Sequence, residues 1–206
     1  MNPVFSDKTK DLAPSAIREI FKSLTDPEMI SFAAGNPSPQ SFPVEKMSLI
    51  SQDIFQNDYV NAFQYSVTEG YTPLRELVKK RLASKFGINY PDDELIITTG
   101  GQQGIDLTAK VLCNEHDVVI TEDPSFIGAL NAFRAYNTRL VGVENEKDGI
   151  NVEKLEKAII ENPYCKLIYL IPTFQNPSGT TMSLEKRKRV IELANKYDKV
   201  ILEDNP

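Results

Sequence analysis

Two patterns of apolar and polar residues alternate in the second half of the chain. Short, continuous apolar runs predict buried strands, and longer stretches with an apolar residue every three or four positions predict helices. The predicted strands are residues 95–99, 118–121, 139–143, 167–172 and 200–204. The predicted helices run through residues 105–113, after Pro124, after Asn151 and from Ser183. This alternation favours an α/β fold, a three-layer sandwich whose mostly parallel sheet is covered on both faces.

The first part of the chain shows the helical period without strands. After an N-terminal arm, one helix is predicted with an apolar face formed by Ile17, Ile20, Phe21 and Leu24. The stretch 31–43 is rich in Gly, Pro and Ser and predicts an ordered loop. A further helix is predicted with Thr72 as its N-cap, Pro73 at its first helical position and Gly87 as its end.

Composition narrows the function classes. The 206 residues carry a net charge of −6, and their basic residues are scattered, which argues against a nucleic-acid or anionic-membrane surface. No apolar run approaches the roughly 20 residues that cross a bilayer, and the first residues do not resemble a secretory leader, so a cytoplasmic protein is expected. Cys113 and Cys165 are far apart and His116 is the single histidine, so buried free thiols are expected rather than a disulfide or a zinc site.

Polar chemistry follows the predicted strands, at the edge of a parallel sheet where ligands collect. The sequence "LIITTGGQQG" places glycines between a strand and a helix, where backbone N–H groups favour an anion such as phosphate. The same glycines nearly match the dinucleotide fingerprint, and Glu122 lies about where a ribose-binding acid would, so nicotinamide binding stays open on this pattern.

Two later strands also end in polar residues. Asn176 follows one strand, and Asp204 comes 28 residues later at the end of the next, about one βαβ unit apart. Both side chains are therefore expected in one crevice, which Phe126 could cover from one side.

In this order, "TTGGQQG", "EDPSF", "PTFQNPSGTTMS" and "VILEDNP" resemble the class I/II aminotransferases of the fold-type I pyridoxal-phosphate family. "FAAGNPSPQSFP" and "FQYSVTEGYTPLRE" are similar to the branch that contains 2-aminoadipate and kynurenine aminotransferases. The resemblance implies a pyridoxal 5'-phosphate-dependent enzyme that transfers an amino group between an amino acid and a 2-oxo acid. It also implies an arm and small-domain segment in residues 1–45 and an incomplete cofactor-binding large domain in residues 46–206.

The resemblance implies a role for each motif at the cofactor. Gly101 and Gln102 would hold the phosphate, although many relatives have Ser in place of Gly101. Phe126 would stack on the pyridine ring, and Asn176 would bond its phenolic oxygen, with an Asn176–Pro177 peptide that is often cis in the family. Asp204 would pair with the pyridinium nitrogen, because the ring accepts electrons only while that nitrogen is protonated.

Two further residues gain roles only from the resemblance. Tyr65 would reach the phosphate of a neighbouring subunit, which implies a homodimer, and Gly35 would lie in the loop that covers the substrate α-carboxylate.

The resemblance places other essential residues beyond Asp204. These are the lysine that holds the cofactor as a Schiff base, a tyrosine, a second basic phosphate ligand and the arginine that binds the substrate carboxylate. The 206 residues are therefore expected to be a truncated, N-terminal half that does not transaminate alone. Residues 95–99 would lack their neighbouring strand, so reduced stability or self-association is expected.

Three alternatives remain from the sequence. A lyase or decarboxylase could use the same scaffold, because its ring chemistry is shared until proton delivery. An effector-binding domain of a transcription regulator is disfavoured because Met1 leads almost directly into the scaffold. Nicotinamide binding is the weakest alternative, since it predicts nothing about Asn176 or Asp204.

Overall fold

The computed structural model describes Val4, Ser6 and residues 37–206. Residues 99–206 belong to one compact unit, and the described residues 37–98 belong to another. The predicted helix around Ile17 and the predicted site residue Gly35 both lie outside the described residues.

The unit that contains residues 37–98 is helical. A 3₁₀ turn at Pro39–Ser41 precedes helices α1 (Val44–Asn57), α2 (Tyr59–Phe63) and α3 (Thr72–Phe86). Helix α3 begins at Thr72 with Tyr71 as its N-cap, one residue earlier than predicted. It ends as predicted at Gly87, whose φ of 68° is a left-handed conformation that glycine adopts without a Cβ clash.

The prediction of a strand at residues 95–99 is wrong. Within the part of the chain that the structure describes, this segment pairs with no other strand, and a strand needs a partner to satisfy its backbone groups. Its groups bond the helical region instead: the Ile97 N–H donates to the Glu69 carbonyl at 2.9 Å, and the Arg75 Nε donates to the Leu95 carbonyl at 2.7 Å.

The unit that contains residues 99–206 alternates helices with strands. In chain order its elements are α4 (Gly101–Leu112), β1 (Val118–Asp123), α5 (Ile127–Arg134), β2 (Arg139–Glu146), β3 (Gly149–Ile150), α6 (Val152–Glu161), β4 (Cys165–Leu170), α7 (Leu184–Tyr197) and β5 (Val200–Glu203). The sheet order is β3-β2-β1-β4-β5. The pairs among β2, β1, β4 and β5 are parallel, and the two-residue β3 is antiparallel to β2.

Two apolar cores cover the two faces of this sheet. Val118 and Ile120 of β1 contribute to one core together with α6 and α7, and Val119 contributes to the other with α4 and α5. This arrangement follows from the period of two along a strand, which sends successive side chains to opposite faces. The three-layer α/β sandwich with a mostly parallel sheet is therefore confirmed.

Helices α6 and α7 begin with side-chain caps that the sequence carries. The Asn151 side chain accepts from the Lys154 N–H, and the Ser183 side chain accepts from the Lys186 N–H. A polar cap of this type stabilises a helix by about 1 kcal/mol, because it satisfies one of the N–H groups that the first turn leaves unpaired.

Candidate cofactor site

Five of the predicted site residues line one cavity at the carboxyl ends of the strands. The cavity has a volume of about 240 Å³ and is bounded by Gly101, Gln102, Ile105, Phe126, Ile171, Asn176, Asp204 and Pro206. Its wall combines apolar side chains with two amide residues, a carboxylate and the start of a helix. The topology brings these residues together, because the start of α4 and the carboxyl ends of β1, β4 and β5 lie at the same edge of the sheet.

The start of α4 forms one end of the cavity. Gly100 precedes the helix with a φ of 80°, and Gly101 is its first residue. A Cβ added at Gly101 would meet no atom within 4 Å, so backbone is accessible there without a side chain in the way. Because the first N–H groups of a helix have no partner within it, this end of the cavity suits an anion.

The Phe126 ring is held next to this helix start. Phe126 is the N-cap residue of α5, and Gly128 lies in the first turn of that helix. The Gln102 Nε2 donates to the Gly128 carbonyl at 3.0 Å, which joins the first turns of α4 and α5. The sequence reasoning did not single out Gly128, although a glycine inside a predicted helix is a signal of a packing constraint.

Gln175 connects the loop before α5 with the loop that carries Asn176. Its side chain is 2% exposed, its Nε2 donates to the Pro124 carbonyl at 2.8 Å, and its Oε1 accepts from the Ser178 N–H at 2.8 Å. The Asn176–Pro177 peptide is cis, as the resemblance implies, and Asp123–Pro124 is cis as well. Gln175 thereby holds together the two strand-end loops that carry Phe126 and Asn176.

The loop that carries Asn176 is also fixed from the side of α7. The Arg187 Nη2 donates to the Pro172 carbonyl at 2.6 Å and to the Thr173 Oγ1 at 3.1 Å, and its Nε donates to the Met182 carbonyl at 3.0 Å. A single guanidinium thus satisfies acceptors at both ends of the loop, which its fixed fork of donors permits.

Asp204 lies directly after β5 and is bonded to β4. Its N–H donates to the Leu170 carbonyl at 2.9 Å, and its Oδ2 accepts from the Tyr169 hydroxyl at 2.7 Å. Sequence reasoning missed Tyr169, because a tyrosine inside an apolar strand is ordinarily a core residue. The register of β4 against β5 brings the two side chains together.

Glu122 is buried rather than displayed to a ligand. It is 3% exposed, and its Oε2 accepts from the Ile171 N–H at 2.8 Å. Burial raises the pKa of this carboxyl, and the hydrogen bond from Ile171 opposes that shift in part. This placement counts against the ribose-binding role that the dinucleotide alternative requires.

The remaining predicted residues lie elsewhere or are outside the described part. Tyr65 belongs to the helical unit, and its side chain is 99% exposed. Gly35 lies outside the described residues. Cys165 is buried and Cys113 is half-buried, and both are free thiols whose pKa burial raises. Within residues 37–206, no cluster of His, Cys, Asp and Glu could hold a metal ion, and no helix is long and apolar enough to cross a membrane.

The amino-acid sequence matches the model of a known protein family. The model of aminotransferase class I and II matches residues 27–205. The chain belongs to the class I and II aminotransferases. The family that the sequence motifs indicate is therefore confirmed.

Individual relatives agree with this membership. Aromatic-amino-acid aminotransferase 1 of Thermococcus litoralis is 38% identical over 98% of this chain and 49% of its own length. The crystal structure of Pyrococcus horikoshii kynurenine aminotransferase, in complex with PMP, is 38% identical with a TM-score of 0.90, covering 98% of this chain and 51% of that one. The α-aminoadipate aminotransferase structure from Thermus thermophilus, in complex with N-(5'-phosphopyridoxyl)-L-leucine, is 36% identical with a TM-score of 0.83, covering 97% and 48%. The chain thus spans about half the length of the relatives it matches.

Proposed function

We propose that these 206 residues form the N-terminal half of a pyridoxal 5'-phosphate-dependent aminotransferase that transfers an amino group between an amino acid and a 2-oxo acid. The observation that carries the proposal is the single cavity shared by Gly101, Gln102, Phe126, Asn176 and Asp204. These residues come from four separate segments of sequence, and each is of a type that one part of this cofactor needs. Membership of the aminotransferase family supports the same conclusion.

The residues fit the cofactor at both of its ends. The backbone of Gly101 and Gln102 at the start of a 12-residue helix offers N–H donors and a partial positive charge to the phosphate. Asp204 offers a carboxylate to the ring nitrogen. Between them, Phe126 and Ile171 provide apolar surface against which an aromatic ring can lie.

Each of these side chains has a separate proposed role in the reaction. When bound, the cofactor would supply an electron-accepting ring for the cleavage of the substrate Cα–H bond. Asp204 holds a proton on the ring nitrogen through a charge-assisted hydrogen bond, an interaction worth about 1.5 to 3 kcal/mol. Asn176 would donate to the phenolic oxygen, and Phe126 would exclude water from one face of the ring. The lysine that exchanges protons with the substrate is proposed to lie beyond this half of the protein.

Assembly, compartment and domain division are further parts of the proposal. The exposed Tyr65 is proposed to contact the phosphate site of a second subunit, which makes the working enzyme a homodimer. Gly35 is proposed to cover the substrate carboxylate. The chain is proposed to be cytoplasmic, with residues 1–45 as an arm and small-domain segment and residues 46–206 as part of the large domain.

Titration of the chain with pyridoxamine 5'-phosphate tests the proposed cofactor site. This probe needs no lysine for binding, so the 206-residue chain can be used as it is. Binding should be saturable with one site per chain, and Asp204→Asn should weaken it about tenfold or more, because the ring nitrogen loses its charged partner. Glu203→Gln is the matched control, since it changes the neighbouring, exposed carboxylate, and it should bind like the unaltered chain.

Two outcomes would contradict the proposal. One is the absence of saturable binding, and the other is equal binding by the Asp204→Asn chain. For the full-length protein, product analysis with and without a 2-oxo acid distinguishes transamination, which requires that acceptor, from a lyase or decarboxylase, which does not.

A further inference from the structure

Tyr169 and Asp204 are joined across two neighbouring parallel strands. Tyr169 pairs in register with Leu202, and Asp204 follows Leu202 by two residues, so both Tyr169 and Asp204 face the same side of the sheet. The Tyr169 hydroxyl donates to the Asp204 Oδ2 at 2.7 Å, and the Asp204 N–H continues the strand pairing to Leu170. The carboxylate is therefore held through both its backbone and its side chain.

The tyrosine that holds Asp204 is itself fixed. Tyr169 is fully buried, and its ring packs edge-to-face against Phe133 with 5.5 Å between centroids and 69° between planes. Burial, followed by the hydrogen bond to Asp204, raises the pKa of Tyr169 well above its ordinary value. The phenol consequently remains a hydrogen-bond donor over the whole neutral range.

We infer that Tyr169 is a positioning residue, whose hydroxyl fixes the rotation of the Asp204 carboxylate so that its other oxygen is available to the nitrogen of a pyridine ring in the cavity. This inference rests on the proposed function. A carboxylate has two oxygens and accepts several hydrogen bonds, so one bond to Tyr169 orients it without consuming its capacity. An aspartate without such a partner would lose conformational entropy when a ligand ordered it, and this cost in free energy would weaken binding.

A double-mutant cycle tests the inference in the 206-residue chain. Tyr169→Phe removes the hydroxyl and retains the ring that packs on Phe133. It should weaken pyridoxamine 5'-phosphate binding about tenfold, since a hydrogen bond to a charged group is lost. In the Asp204→Asn background the same substitution should have less than about a twofold effect, because the charged carboxylate that it orients is already gone.

A second probe distinguishes positioning from general packing. The analogue of pyridoxamine 5'-phosphate in which a C–H group replaces the ring nitrogen cannot pair with Asp204. The unaltered chain and the Tyr169→Phe chain should bind this analogue equally. Tyr197→Phe is the matched control. The Tyr197 hydroxyl also donates to a carboxylate, the Glu156 Oε1 at 2.8 Å, but this pair lies away from the cavity. Loss of this hydroxyl should therefore change the binding of neither probe.

Each result has one meaning. Equal weakening of both probes, or no weakening of either, would overturn the positioning role of Tyr169. If Asp204→Asn weakens the nitrogen-containing probe and Tyr169→Phe does not, the inference fails while the proposed cofactor site stands. If the unaltered chain does not bind pyridoxamine 5'-phosphate, the proposed cofactor site fails and the inference fails with it.

Discussion

The ring of Phe126 occupies the space in which a side chain at position 128 would lie. A Cβ added at Gly128 would be 2.5 Å from the Phe126 Cζ and 2.7 Å from the Gln102 Oε1. Real Cβ atoms do not approach so closely, so the glycine permits the ring to lie in its observed position beside the cavity. Gly128 is therefore part of the cavity's construction even though it does not line it.

Gly128→Ala should move the Phe126 ring and weaken pyridoxamine 5'-phosphate binding by roughly tenfold, because the aromatic surface against the cofactor ring is displaced. The substitution should not unfold the chain, since Ala favours a helix by about 1 kcal/mol over Gly. Calorimetric titration and thermal unfolding of the same variant measure both effects.

The Phe126→Ala background provides the control for Gly128→Ala. If the alanine at position 128 acts through the ring, it should have almost no further effect once the ring is absent. An undiminished effect in that background would show that the substitution disturbs the site by another route, such as the Gln102 side chain.

Gly101→Ser should strengthen binding of the same probe several-fold. The new Cβ meets no atom within 4 Å, and the hydroxyl adds a donor at the helix start where the phosphate is proposed to bind. Gly101→Ala is the matched control, because it adds the Cβ without the hydroxyl and should give no gain in affinity. Equal affinities for the serine and alanine variants would argue against phosphate binding at this helix start.

The sequence predicted the fold correctly where the apolar pattern of a segment was enough to determine its secondary structure. Four predicted strands form β1, β2, β4 and β5, and the apolar runs of β1 and β4 at the centre of the sheet are buried between two helical layers. Residues 95–99 show the same apolar pattern and do not form a strand, since strand formation depends on a partner that the pattern of the segment itself does not reveal.

In the candidate site, too, some residues could be predicted from local sequence and others could not. The side chains at strand ends, such as Asn176 and Asp204, could be predicted because parallel strands end at a common edge. The residues that hold them could not, since Tyr169 and Gln175 act through contacts with segments distant in sequence. Their roles depend on strand register and loop conformation, which a local pattern does not contain.

Glu122 should make the stability of the chain fall as pH rises. Burial raises the pKa of its carboxyl in the folded state, so over the interval between the unfolded and folded pKa values the folded state binds more protons than the unfolded state. The free energy of unfolding therefore decreases as pH rises through that interval, and the penalty is fully present above it. Urea unfolding at about pH 5 and about pH 8 measures the difference.

Glu122→Gln should reduce this pH dependence, because the amide does not ionise and its oxygen can still accept from the Ile171 N–H. Glu203→Gln changes an exposed carboxylate on β5. In this control variant, the free energy of unfolding should differ between the two pH values by as much as it does in the unaltered chain. If Glu122→Gln left that difference unchanged, the buried carboxyl would not be its source.

The outer edge of β5 should cause the chain to self-associate. β5 is the last strand in the sheet order of the described residues, so its side facing away from β4 pairs with no described strand, and Val200 is exposed at its start. Sedimentation velocity should show association that increases with concentration. Val200→Lys should reduce it, because a charge on an edge strand opposes edge-to-edge pairing, whereas Ile160→Lys on the exposed face of α6 should not. A chain that stays monomeric and melts cooperatively at high temperature would contradict both this prediction and the expected instability.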